Sequence, residues 1–197
     1  MNPRGEDHAL SLMNAAVAMV ILIPLLLLMW EQSMHNKQGS GREDDQPPII
    51  TVSEAEVYSF ASGKAQLSPQ FKGLLTGTIV PKLEKLAADY RCDIIEVIGH
   101  TDEQSIGLAS NLDTALLSVI NGKSVTLIAG SNLDLGLMRA WSVASLLKSD
   151  GRLAGKKIYG YSAGQIILPG GNIAAPAKDP KNDPSRRRIE IRMRRSK

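Results

Sequence analysis

The stretch from Ala9 to Trp30 runs for 22 residues without a charged side chain. As an α-helix it would span about 33 Å, close to the hydrocarbon thickness of a bilayer. It is predicted to be a single uncleaved transmembrane helix. Only Arg4 stands against Glu6 and Asp7 ahead of it, and Met29-Trp30-Glu31-Gln32-Ser33 after it holds no pair of small residues for a signal peptidase. A lipid-modified anchor is excluded, because no cysteine stands near the end of the run. Trp30 suits the membrane interface. Inside the run, Pro24 would free the backbone carbonyl of Val20, and Asn14 is the most polar side chain. A transmembrane helix tolerates both, or both face partner helices. Arg4 on one side and Lys37 and Arg42 on the other give no clear orientation, so the soluble part must set it.

Residues 31–53 are polar, charged and Gly/Ser-containing, with no apolar period. They read as a flexible tether with a root-mean-square span of roughly 25–30 Å. Residues 54–197 remain, enough for one globular core. The net charge of +3, from 23 basic and 20 acidic residues, is too small to imply a polyanionic partner. Seven basic groups do cluster in the last twelve residues: Arg186, Arg187, Arg188, Arg192, Arg194, Arg195 and Lys197. Their alternation with Ile189, Ile191 and Met193 predicts a half-buried strand with a basic rim, facing an anionic polymer or lipid rather than nucleic acid. The single Cys92 excludes an internal disulfide and reads as a buried structural thiol.

Strand and helix signals then alternate. Glu56 to Phe60 reads as a strand, and Ser68-Pro69 opens a helix toward Tyr90 with Leu74, Leu75, Ile79, Leu83 and Leu86 as its apolar stripe. Ile94 to Gly99, Lys157 to Tyr161 and Arg188 to Arg194 read as strands, and Leu133 to Lys148 as a second amphipathic helix. Strands and helices sharing one core imply an α/β sandwich, a mixed sheet with helices packed on it.

Three ordered motifs stand on this framework: Gly99-His100-Thr101-Asp102 at a strand end, Asn132-Leu133-Asp134-Leu135-Gly136-Leu137-Met138-Arg139-Ala140 opening a helix, and Arg187-Arg188-Ile189-Glu190 in the last strand. Together with Phe60-Ala61-Ser62-Gly63 and Leu67, they make residues 54–197 similar to the OmpA-like peptidoglycan-binding family, which includes peptidoglycan-associated lipoproteins and MotB. The resemblance implies an OmpA-like α/β sandwich in the periplasm behind a single-pass inner-membrane anchor, with residues 1–8 in the cytoplasm. It also implies that Asp102 and Arg139 hold the diaminopimelate of the peptide stem, Asp102 taking the ammonium and Arg139 the carboxylate, with Thr101, Asn132 and Arg187 in support. A carboxylate beside a guanidinium is what a zwitterionic centre requires. Without the resemblance, such a pair is most often a structural salt bridge. Two positions depart from the family pattern: Gly136 stands where a Ser is expected, and Arg186 where an Asn is.

Between Asp102 and Arg139 lies an insertion, about residues 106–131, which adds a lid, a dimer contact or a passive surface excursion. Within it Ser110-Asn111-Leu112-Asp113 repeats the tetrapeptide Ser131-Asn132-Leu133-Asp134. The scattered His8, His35 and His100 support no metal site, and no cofactor is expected. His100 is expected to shape its turn by hydrogen bonding. Gly160-Tyr161-Ser162-Ala163-Gly164 matches a nucleophile-elbow pattern, but no acid and base partners follow it, so the chain is not expected to be an enzyme. The expected role is a peptidoglycan-binding tether. The alternative is a stator subunit of an ion-driven motor with a MotA-like partner, because Leu12 to Ala18 is similar to the start of the MotB membrane helix. Against it, the position that would match the ion-carrying Asp is Ser11. The resemblance also implies a homodimer.

Overall fold

The computed structural model describes residues 23–24, 27–31, 46–54, 60–176 and 178–196. It divides into two units, Met1–Asp45 and Gln46–Lys197. In the first, residues 23–24 and 27–31 are helical, with Ile23, Leu27, Leu28, Met29 and Trp30 exposed. Most of the apolar run, including Ser11 and Asn14, lies outside the described residues, as do residues 56–59 of the strand expected from Glu56 to Phe60. Among the described residues no helix is long and apolar enough to cross a membrane.

The second unit is built on a four-stranded mixed sheet: β1 (Ile50–Ser53), β2 (Ile94–His100), β3 (Lys157–Gly164) and β4 (Arg188–Arg194), in the order β1-β4-β2-β3. β4 runs antiparallel to both neighbours, and β2 and β3 are parallel. β1 falls inside the segment read as tether. Ile50 and Val52 pack into the core while Thr51 faces out, a two-residue apolar alternation too short to stand out beside Pro47 and Pro48.

The helix expected from Ser68 forms with Ser68 as N-cap, its hydroxyl accepting the Phe71 N–H at 3.2 Å. It is α1 (Pro69–Leu74), a π-helical turn at Leu75–Ile79, then α2 (Val80–Asp89). Pro81 explains the interruption. The Val80 N–H reaches back to Leu75 O, Pro81 has no N–H to give, and the Thr76 carbonyl instead accepts Arg152 Nη2 at 2.8 Å. α3 (Leu112–Ile120) lies in the insertion, and α4 (Asn132–Ser149) crosses from it back toward β3. α1, α2 and α4 share one core with the sheet: Phe71, Leu75, Leu83, Val143 and Leu147 meet Ile95, Val97, Ile189 and Ile191, all essentially inaccessible. On the opposite face Tyr159, Tyr161, Arg192 and Arg194 are exposed.

α4 seats on the sheet at two glycines. A Cβ on Gly99 would stand 2.0 Å from Gly136 O, and one on Gly136 would stand 2.3 Å from Ser162 Oγ and 2.8 Å from Gly99 O. The Gly136 departure is thus what lets helix and sheet close to backbone contact. The insertion is not loose either. Leu112, Ala129, Leu135 and Met138 form a second small core with Ile106, Leu116 and Leu127 against it. Its neck is tied by Asn111, which accepts the Ile128 N–H at 2.8 Å and donates to Thr126 O at 2.9 Å.

The C-terminal basic groups do not form a free rim. Arg186 pairs with Glu103, Arg187 with Glu54 and Asp102, Arg188 and Arg192 with Glu190, and Arg194 with Glu96, while Arg195 donates to Tyr90 O. Arg186, Arg188 and Glu190 are all buried. Periodicity could show which residues alternate. It could not show that both faces of this strand end are covered.

Candidate functional site

The site forms where β2 leaves the sheet. The register between β2 and β3 slips at Gly99/His100, so that His100 sits opposite Gly164. Such a bulge bends the strand end. Gly164, with φ +49°, turns its carbonyl to accept the Thr101 N–H at 2.9 Å. Asp102 follows, 5% exposed. Its Oδ1 accepts the Gln104 N–H at 3.3 Å, and its Oδ2 accepts Arg187 Nη1 at 2.6 Å and the Asp183 N–H at 3.3 Å. An ionised carboxylate offers about four acceptor positions, so three donors leave about one for a ligand.

Arg187, immediately before β4, is the hub. Its Nε pairs with Glu54, and its Nη1 serves both Asp102 and Asn182 Oδ1. Burial works against its charge, but the bonds to Glu54 and then Asp102 outweigh that and raise its pKa above the ordinary guanidinium value. Glu54, just past β1, also accepts the Phe60 N–H at 2.9 Å through Oε1.

α4 supplies the opposite wall. Ser131 caps it by accepting the Asp134 N–H at 3.1 Å, which makes Asn132 its first residue. Asn132 and Arg139 are seven residues apart, about two turns, and so share a face. Asn132 Nδ2 donates to Gln104 O at 3.0 Å. Arg139 is buried, donates from Nε to Lys64 O at 3.1 Å, and lays its guanidinium over the Phe60 ring, 4.7 Å from the centroid.

These groups border one cleft of about 310 Å³, lined by Glu54, Phe60, Asp102, Asn132, Arg139 and Arg187 with the segment Gln104 to Leu108. Two carboxylates and two guanidinium groups balance within it. Four of the five residues named from the sequence meet there: Asp102, Asn132, Arg139 and Arg187. Thr101 does not. It is buried behind the cleft, joining the ends of β2 and β3. Asp102 is held by Arg187, which is therefore more central than the supporting part expected of it. Glu54 was missed because it stands at the expected edge of the tether, with no motif around it.

Arg186, the second departure, turns away from the cleft to Glu103 and to Gln165 O at 2.6 Å. The adjacent pairs Asp102–Arg187 and Glu103–Arg186 thus fasten the loop after β2 to the start of β4. The buried His100 ring lies against the Ile167 backbone, and its Nε2 stands 3.3 Å from Glu190 Oε1. Desolvation, and next the Arg188 charge, push its pKa down to about 4 against the pull of Glu190, so the imidazole is neutral. Ser162 accepts the Gly164 N–H at 3.2 Å and lies against Gly136 beneath α4, bonded as a structural residue. Cys92 is buried as expected, and burial raises its thiol pKa.

No protein-family model matches the chain, and no curated protein matches it. Among solved structures it is similar to a protein described as MotB-like from Desulfovibrio vulgaris, at 17% identity over 75% of each chain and a TM-score of 0.46. It is also similar to the periplasmic domain of Helicobacter pylori MotB, at 17% identity over 75% of this chain and 81% of that one, TM-score 0.45. A third is the cell wall anchor of the T6SS from Pseudomonas aeruginosa, at 20% identity over 75% and 81%, TM-score 0.38.

Proposed function

We propose that this chain binds peptidoglycan non-covalently through the cleft between β2, β4 and α4, recognising the diaminopimelate of the peptide stem, and that the Ala9–Trp30 run anchors it in the inner membrane. It would then tether a membrane complex to the cell wall. The observation that carries this reading is the convergence of residues from three separate motifs, Asp102, Asn132 with Arg139, and Arg187, on a single cleft of balanced charge. Such a cleft suits a zwitterion better than an anion or a cation, since Glu54, Arg187 and Asp102 together carry one net negative charge and Arg139 one positive, and a ligand of both signs matches both. Asp102 takes the ammonium and Arg139 the carboxylate, while Arg187 and Glu54 hold Asp102 in place. The cleft binds and does not catalyse.

The test is co-sedimentation of the full-length chain, in detergent, with isolated sacculi. Wild type should sediment. Asp102→Ala and Arg139→Ala should stay in the supernatant, and undiminished sedimentation of both variants would sink the assignment. A motor subunit paired with a MotA-like protein is the second reading, favoured by Leu12-Met13-Asn14-Ala15-Ala16-Val17-Ala18. Co-purification of the chain from membranes decides it: a multi-span partner supports the motor, and a clean monomer or homodimer supports the tether.

A further inference from the structure

The segment that leads from Asp102 into the insertion lines the cleft beside the charged groups. Gln104, Ser105, Ile106, Gly107 and Leu108 all line it, and Leu135 beneath them is buried. The cleft lining therefore holds two unlike sets of side chains: the ionisable Glu54, Asp102, Arg139 and Arg187, and the apolar Ile106, Leu108 and Leu135. The apolar set is built in place. Asn132 grips Gln104 O at its start, and Ile106 packs against the small core of Leu112, Ala129, Leu135 and Met138. Farther along, Gly130 lies so close to Ser110 that a Cβ there would stand 2.7 Å from Ser110 N, which closes the base of the insertion. Yet Leu108, at the rim of a cleft holding four ionisable groups, is 66% exposed. A large apolar side chain left uncovered beside such a cleft is suited to burial by whatever occupies it.

We infer that Ile106 and Leu108 form an apolar subsite of the cleft, so that it takes a zwitterionic centre carried on an aliphatic, methyl-bearing peptide rather than a zwitterion alone. This rests on the proposed peptidoglycan reading and deepens it. The charges orient the amino-acid centre. The insertion adds affinity from the methylene arm and from the methyl of the alanine next to it in a stem peptide. The inserted residues are thus specificity-determining parts of the site.

The experiment measures binding of a diaminopimelate-containing stem tetrapeptide to the full-length chain in detergent by calorimetry. Removing apolar contact in a hydrophobic subsite costs about tenfold or more in affinity. Leu108→Ser, at an exposed position and so without expected effect on the melting temperature, should weaken binding about tenfold, and Leu108→Met should restore it. Ile106→Val, a smaller change that preserves the insertion's core, should weaken it several-fold. Free diaminopimelate, which lacks the neighbouring alanine, should lose less affinity on Leu108→Ser than the tetrapeptide does. If Asp102→Ala abolishes tetrapeptide binding while Leu108→Ser and Ile106→Val bind within twofold of wild type, the subsite is refuted and the function stands. If wild type binds neither the tetrapeptide nor sacculi, the functional reading itself falls.

Discussion

Gly136→Ala should destabilise the protein, against the ordinary rule for a helix interior. Replacing Gly by Ala in mid-helix normally gains about 1 kcal/mol. Gly73 in α1 has nothing within 4 Å of a built Cβ, so Gly73→Ala should show that gain. At Gly136 the new methyl would meet Ser162 Oγ at 2.3 Å and Gly99 O at 2.8 Å. The serine can rotate, but the Gly99 carbonyl belongs to β2 and cannot move without the sheet. Relief requires α4 to lift by several tenths of an ångström, an overpacking cost of about 1–3 kcal/mol. Subtracting the propensity gain leaves a net loss of up to about 2 kcal/mol. Because α4 carries Asn132 and Arg139 into the cleft, peptide affinity should fall as well. Urea unfolding of the two alanine variants beside wild type, followed by Gly136→Ala combined with Ser162→Gly, is the assay. The double variant should recover part of the loss and not all of it, since the Gly99 contact remains. Equal stabilisation by Gly73→Ala and Gly136→Ala would refute the close approach of α4 to the sheet.

Stability should fall on acidification between about pH 6.5 and 4. The unfolded imidazole of His100 binds a proton near pH 6.5, while the folded one resists until about 4, so its contribution is complete above the unfolded value and lost as the pH drops through that window. The shift corresponds to about 3 kcal/mol, and His100→Phe should flatten the profile there; a profile unchanged by that substitution would contradict a neutral buried His100 beside Glu190, Arg188 and Arg192. Asn111→Ala should accelerate hydrogen exchange at the Ile128 amide, which donates to the Asn111 side chain, while leaving Ile95 in β2 protected; unchanged exchange at Ile128 would show that the neck is held otherwise. A chain truncated to begin at residue 54 should be markedly less stable than one beginning at 46, because it loses buried Ile50 and Val52, each worth about 1.5–3 kcal/mol, and bares the edge of β4. Equal unfolding midpoints would mean that β1 adds nothing.

The elements with a long or clean period were legible in the sequence. Arg188–Arg194 was bounded correctly by the alternation of Ile189, Ile191 and Met193, and the Ser68 cap and the apolar stripe marked α1 and α2. β1 was not legible: four residues with two apolar members next to a proline pair look like linker, and only their pairing with β4 makes them a strand. α3 was hidden because its leucines and isoleucine fell in an insertion with no pattern to anchor it. For the site, the resemblance supplied Asn132 and Arg139, and α4 sets them about two turns apart on one face. No local signal reveals that Arg187 bridges Asp102 and Glu54, since those three residues meet only when β1, β2 and β4 assemble. The same holds for Arg186. Its charge suggests a surface, and its partner Glu103 lies 83 positions away in sequence.

The most direct test of the balanced-charge cleft is competition for sacculi. Full-length chain bound to sacculi should be displaced by free diaminopimelate and not by pimelate, which keeps the same carbon chain and both carboxylates but lacks the ammonium groups that Asp102 would accept. Displacement by both alike, or by neither, would contradict recognition of a zwitterion by Asp102 and Arg139.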